Sequence, residues 1–260
     1  MSNFFKISLK QIFILSIIYS SASAIEIKSL NHAVDIAGKQ RMFTQRMLKD
    51  YTMIGMKNYF AKPKEDLTKI MGEFENHLQS LHDYTKNEKI KKSTNRVKEL
   101  WIPIKKTLNS IPQKESAGAL QEALEELLKE SNRVTVLFAK DAGEASGEII
   151  NISGRQRMLS QRMASLYILK VWGIDDNKFK EKMDSTMKLF KTSLEELQKS
   201  KFNTDEITKL LSKVEKSFMF FEVMNRSSKI FIPTLIYKKS NDILKNMNSA
   251  TGLYVIATKK

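Results

Sequence analysis

The stretch Ala37-Gly38-Lys39-Gln40-Arg41-Met42-Phe43-Thr44-Gln45-Arg46-Met47 returns as Ser153-Gly154-Arg155-Gln156-Arg157-Met158-Leu159-Ser160-Gln161-Arg162-Met163. The copies lie 116 positions apart, and seven of the eleven positions are identical. An internal duplication of this kind decides the architecture before any other feature. The same offset relates Tyr51 to Tyr167, Phe74 to Phe190 and Leu78 to Leu194. Near the far end, Leu128, Asn132, Thr135 and Leu137 recur as Leu244, Asn248, Thr251 and Leu253. An unchanged offset means equal net length. The chain therefore reads as two tandem units, residues 25–144 and 145–260.

Within the motif the apolar positions recur in steps of three and four. Ala33, Ile36, Gln40, Phe43, Met47, Tyr51 and Ile54 make one stripe, which predicts a helix from about Asn31 to Phe60. Pro63 suits the first turn of a second helix, with Glu65 and Asp66 at its positive end. A third helix is expected over about 88–108, kinked or shortened by Pro103. Asn109-Ser110-Ile111-Pro112 is a turn. From Lys114 to Trp172 there is no proline, and the breakers outside the repeated motif are Gly118, Gly143 and Gly147. Glycine weakens a helix interior by roughly 1 kcal/mol without forbidding it. One continuous helix over about 114–172 is therefore favoured, roughly 90 Å long at the standard rise. The alternative is a hinge at Gly143–Gly147 that folds the second unit back beside the first. Asp175-Asp176-Asn177 separates the next helix, Asn203 with Glu206 resembles a capping box, and Pro233 opens the last helix. The fold class is all-α, two tandem antiparallel four-helix bundles.

Composition narrows the function. Lys and Arg total 44 against 29 Asp and Glu, a formal charge of +15, so an anionic partner is favoured over a cationic one. The lysines are spread over both units rather than clustered, and no nucleic-acid partner is expected. Cysteine is absent, which excludes disulfides and thiolate chemistry. Lys6 and Lys10 precede the apolar run Ile12–Tyr19, and Ala22-Ser23-Ala24 offers a small-x-small cleavage site. Residues 1–24 thus read as a secretory signal peptide, cleaved after Ala24, because the apolar run is too short to span a membrane. A periplasmic or secreted location is expected.

On a helical wheel the motif has two faces. Ile36, Gln40, Phe43, Met47 and Tyr51 point one way. Gly38, Arg41, Gln45 and Lys49 point the other, with Met42 and Arg46 at the border. Gly154, Arg157 and Gln161 repeat the second face, and Met158 repeats the border. A bundle helix needs only the first face. Glycine lets a neighbouring backbone approach closely. An arginine held there is poorly hydrated and offers a planar fork of donors to a planar oxyanion. Two such arginines repel unless an anion sits between them. The competing reading makes them solvated surface residues.

The signature Gly-[Lys/Arg]-Gln-Arg-Met-x-[Ser/Thr]-Gln-Arg-Met resembles that of the PilJ-type sensory domain, the N-terminal module of type IV pili methyl-accepting chemotaxis transducers. More loosely it is similar to the periplasmic helix motif of the NarX and NarQ nitrate/nitrite sensors. The resemblance covers both units. It implies a periplasmic four-helix bundle that binds nitrate or nitrite at a dimer interface through the arginine of Gly-x-x-Arg-Met. It points to Gly38, Arg41, Met42 and Gln45, and to Gly154, Arg157, Met158 and Gln161. Antiparallel register places Asn132 and Thr135 level with Arg41, and Asn248 and Thr251 level with Arg157, as candidates to orient the arginine or contact ligand. With a continuous central helix each arginine needs a partner chain, as in a homodimer. With a hinge the two meet in one molecule. No output domain is expected after the second unit, so the chain is expected to pass its state to an envelope receptor or pilus component.

Other chemistry is not called for. His77 and His82 are five apart, on different helix faces, so no metal site is expected. No acid pair recurs in both copies at a spacing suited to catalysis, so the chain is expected not to be an enzyme and to need no cofactor. The alternative function is a helical module that docks a protein partner.

Overall fold

The computed structural model describes residues 25–174, 178–226 and 232–258. The signal-peptide reading of residues 1–24 and the Asp175–Asn177 break lie outside the described residues. Among the described residues there are eight helices: α1 (Leu30–Gly55), α2 (Pro63–Tyr84), α3 (Glu88–Leu108), α4 (Lys114–Asp141), α5 (Glu144–Trp172), α6 (Phe179–Gln198), α7 (Asp205–Arg226) and α8 (Pro233–Ala257). There is no strand among the described residues.

Local signals account for most of these ends. Ser29 caps α1, its hydroxyl accepting the His32 amide N–H at 3.1 Å, a contact that typically stabilises a helix by about 1 kcal/mol. α1 stops at Gly55, short of the expected Phe60, because the chain turns left-handed at Lys57 (φ 55°). Pro63 and Pro233 each occupy a first turn. α3 continues through Pro103 to Leu108, so the proline does not shorten it. Pro103 is on the exposed side, so the carbonyl left without a donor there faces water. The cap of α7 is Thr204 rather than Asn203. The Thr204 hydroxyl accepts from Ile207 N, while Asn203 donates to the Leu197 carbonyl and accepts from the Tyr254 hydroxyl.

The expected continuous helix over 114–172 does not form. α4 ends at Asp141, and α5 begins at Glu144 after Gly143. Gly143 has φ 91°, a conformation that costs little only for glycine. The chain reverses there and α5 runs back antiparallel along α4. Gly147 permits the contact: a β-carbon at that position would stand 2.1 Å from the Ala139 carbonyl oxygen. The glycines that merely weaken a continuous helix are therefore used to make a tight hairpin.

The reversal brings α5 alongside α1, in parallel and in register. Gly38 faces Gly154, and Gly55 lies against the Trp172 ring. Helices α1, α4, α5 and α8 form the middle of the molecule, with α2 and α3 packed outside one half and α6 and α7 outside the other. Each half has its own aromatic core. Phe74 and Trp101 rings lie 4.7 Å apart in the first, and Phe190 and Phe218 stack at 4.5 Å in the second. Phe74 and Phe190 are fully buried, and each contributes roughly 1.5–3 kcal/mol of burial energy. The first glutamine of each motif ties the halves' helices together. Gln40 donates to the Phe74 carbonyl at 3.0 Å, and Gln156 donates to the Phe190 carbonyl at 2.9 Å. Tyr51 and Tyr167 accept the backbone N–H of Gln113 and Ile232, just before α4 and α8.

Candidate functional site

α1 and α5 are buried on both faces, so the polar face of each must find partners inside the protein. Arg41 and Arg157 are the largest fully buried side chains of the chain. Their Nη2 atoms lie above the paired glycines. Arg157 Nη2 is 3.0 Å from where a β-carbon of either Gly38 or Gly154 would stand, and Arg41 Nη2 is 3.5 and 3.4 Å away. The two guanidinium groups thus share one small space that side-chain-free backbone provides.

Each arginine is held in the same manner from the opposite half and from its own half. Arg41 Nη1 donates to Asn132 Oδ1 and to Asn151 Oδ1, both at 2.8 Å, and Nη2 donates to the Asn151 carbonyl at 3.1 Å. Arg157 Nη1 donates to Asp35 Oδ1 at 2.7 Å and to Asn248 Oδ1 at 3.2 Å, and Nη2 donates to the Asp35 carbonyl at 3.2 Å. The Nε–H of both is buried without a hydrogen-bond partner. That N–H lies on the same edge as Nη2, the edge on which a planar oxyanion accepts two parallel bonds.

Charge is not evenly shared. Asp35 gives Arg157 a buried counter-ion, and Lys39 stands 3.2 Å from the same carboxylate. Burial raises the Asp35 carboxyl, and the Arg157 and Lys39 charges outweigh burial, so it lies below its ordinary value. Arg41 has amide and carbonyl oxygens only. Burial, with the positive charges of Arg155 and Arg157, pushes it down to about 9. At neutral pH it is still a cation, buried in the protein with no carboxylate among its hydrogen-bond partners.

The remaining expected site residues separate. Asn132 and Asn248 do reach the arginines. Thr135 and Thr251 do not: their hydroxyls donate to the Ser131 and Met247 carbonyls of their own helices, which satisfies them locally. Met42 and Met158 are buried in the apolar packing beside the seam. Gln45 and Gln161 stand one turn beyond the arginines, in a second polar layer. Gln45 donates to Glu125 and accepts from Ser165, and Gln161 donates to the Ser240 carbonyl and accepts from Lys49 at 2.6 Å. The sequence reading missed Asp35 and Asn151, which occupy equivalent positions six residues before each arginine. Comparing the copies for exchanges of charge, rather than for identities, is the signal that finds them.

The second layer is centred on Lys49, also fully buried. Its ammonium donates to Asn241 Oδ1 at 2.7 Å and lies 3.9 Å over the Tyr237 ring. The Tyr237 hydroxyl donates to Asp50, whose other carboxylate oxygen is buried without a hydrogen-bond partner, and Arg46 holds Asp66 with two bonds. Burial raises Asp50 well above its usual range. Burial also holds Lys49 down to about 7, although Asp50 pulls it up. The folded protein therefore binds fewer protons at Lys49 than the unfolded chain between pH 7 and 10.5, and stability from this group rises with pH over that window. Lys49→Met should flatten the rise of stability, read as Tm, between pH 7 and 10. A melting profile unchanged by the substitution would show that the amine titrates as it does in water.

The class that fold and site define is an all-helical bundle whose repeated halves meet along a charged, buried seam. The family model described as Type IV pili methyl-accepting chemotaxis transducer N-term matches residues 26–127 and 141–218. The chain belongs to this family, the PilJ domain, and the two matched segments correspond to two tandem copies. The family consists of sensory rather than catalytic domains, typically extracytoplasmic. No curated protein and no solved structure matches the chain. Among the described residues, no helix is long and apolar enough to cross a membrane.

Proposed function

We propose that the chain is a non-catalytic, extracytoplasmic binding protein that recognises a small oxyanion, nitrate or nitrite, at the Arg41–Arg157 cluster. One observation carries this reading. A guanidinium cation is fully buried with no carboxylate beside it, and its Nε–Nη2 edge is partly unused. Burying an unpaired ion costs several kcal/mol, and a bound monoanion offsets that cost. A planar anion accepts two parallel bonds from one guanidinium edge, a geometry that a spherical chloride lacks.

Binding here acts on the packing of α1 against α5. The arginines, the glycines beneath them and the asparagines around them come from both halves of the chain. An anion that draws the guanidinium groups together favours one arrangement of the seam over another by its difference in affinity. That change reaches the outer helices through Gln40 and Gln156, and from them an envelope receptor or pilus component.

A thermal-shift titration with sodium nitrate, nitrite and chloride tests the reading. Nitrate or nitrite should raise Tm with saturation, chloride should do so weakly, and Arg41→Gln should abolish the response. No saturable shift with any of the three would leave a protein-docking helical module in its place.

A further inference from the structure

The two halves of the arginine cluster are built alike but are not equivalent. We infer that the Arg41 half alone takes the anion, one per chain, while the Asp35 carboxylate serves as a permanent internal ligand of the Arg157 half. This rests on the anion reading above and adds to it a stoichiometry, a charge selectivity and two residues that set them.

Asp35 and Asn151 are the same position of the repeat. Asp35 Oδ1 accepts from Arg157 Nη1 at 2.7 Å, and Asn151 Oδ1 accepts from Arg41 Nη1 at 2.8 Å. The backbone carbonyl of each accepts from the corresponding Nη2. Geometry is thus preserved, and what differs is one negative charge. The three buried ions of the arginine layer, Arg41, Arg157 and Asp35, sum to a single positive charge. One monovalent anion neutralises it. A divalent anion, or a second monoanion, leaves an uncompensated negative charge in a buried place.

The surroundings differ in the same sense. On the Arg157 side, Lys39 is tied to Asp35 at 3.2 Å. Its counterpart Arg155 has an amide, not an acid, at the equivalent position. Arg155 instead lines a cleft of about 360 Å³ together with Asn132, Met158 and Arg162. The acid in that cleft, Glu125, is paired with Arg162 at 3.0 Å. Asn132 forms part of the cleft wall and also accepts from Arg41. An anion drawn to Arg155 therefore arrives one side chain away from Arg41. Rotation of the Asn132 amide admits it.

The test is calorimetric titration of the full chain with sodium nitrate, alongside Asn151→Asp and Asp35→Asn. Wild type should bind one nitrate per chain and discriminate against sulfate. Asn151→Asp places a carboxylate on Arg41 as Asp35 is placed on Arg157. It should melt at the same or a higher temperature and bind nitrate at least tenfold more weakly. Asp35→Asn should bind nitrate at least tenfold more tightly or take up a second anion. If wild type binds nitrate but either variant binds it as wild type does, the one-sided assignment is wrong while the anion reading stands. If neither wild type nor Asp35→Asn binds nitrate, the anion reading fails and this inference falls with it.

Discussion

Arg157→Met should destabilise the protein by about 3–5 kcal/mol, and Arg41→Met by about 2 kcal/mol or less. The two positions are equivalent in the repeat, equally buried, and each donates to three oxygens at matching places. Their expected difference comes from Asp35. Without Arg157, the Asp35 carboxylate keeps Lys39 at its edge but loses the partner at 2.7 Å that justifies its burial. Without Arg41, the protein sheds a buried cation that had no counter-ion. Orphaned oxygens on Asn132 and Asn151 cost something in return, which offsets part of that relief. Urea denaturation in buffer free of nitrate and nitrite measures both. Equal losses would contradict the charge asymmetry, whatever the protein binds.

Gly147→Ala should cost about 3 kcal/mol or more, the upper end of what overpacking does. The added methyl would meet the Ala139 carbonyl oxygen at 2.1 Å and its carbonyl carbon at 2.8 Å. Backbone cannot swing aside as a side chain does, so α4 and α5 must separate and loosen the hairpin that sets α5 against α1. Gly72→Ala and Gly118→Ala are the controls. A β-carbon there meets nothing within 4 Å, and both glycines sit in helices. Each should be neutral or stabilising by up to about 1 kcal/mol. A Gly147→Ala protein as stable as these would show that the two helices do not touch as described.

The helices and their inward stripes were legible because periodicity and punctuation are local. Pro63, Pro233 and the three-four recurrence of Phe43, Met47 and Tyr51 act within one turn of themselves. The reversal at Gly143 was not, because the same glycines tolerate a straight helix and a hairpin alike. Burial of the second face decides between them. Gly38, Arg41, Gln45 and Lys49 have no place to go in a separate bundle, and folding back gives each a partner from the other half. The two arginines that the motif singles out lie together, and Asn132 and Asn248, placed level with them by antiparallel register, do reach them. Gln45 and Gln161 do not contact the arginines, since one turn of helix, about 5.4 Å, carries a side chain into the next layer. Thr135 and Thr251 stand level with the arginines, but their hydroxyls donate to their own backbone. Asp35 and Asn151 escaped notice because an Asp–Asn exchange looks neutral in a single helix and matters only once the two copies face each other.

Because the copies are joined through Ala142 and Gly143, the α1–α5 seam forms within one polypeptide. An isologous dimer of a single-copy ancestor would carry any substitution on both sides of its two-fold axis. An acid introduced at position 35 there would appear twice and shut both halves. Covalent linkage removes that constraint, and it also makes assembly of the seam independent of protein concentration. Each half is then free to specialise, one as a rigid, internally neutralised buttress and the other as the responsive partner.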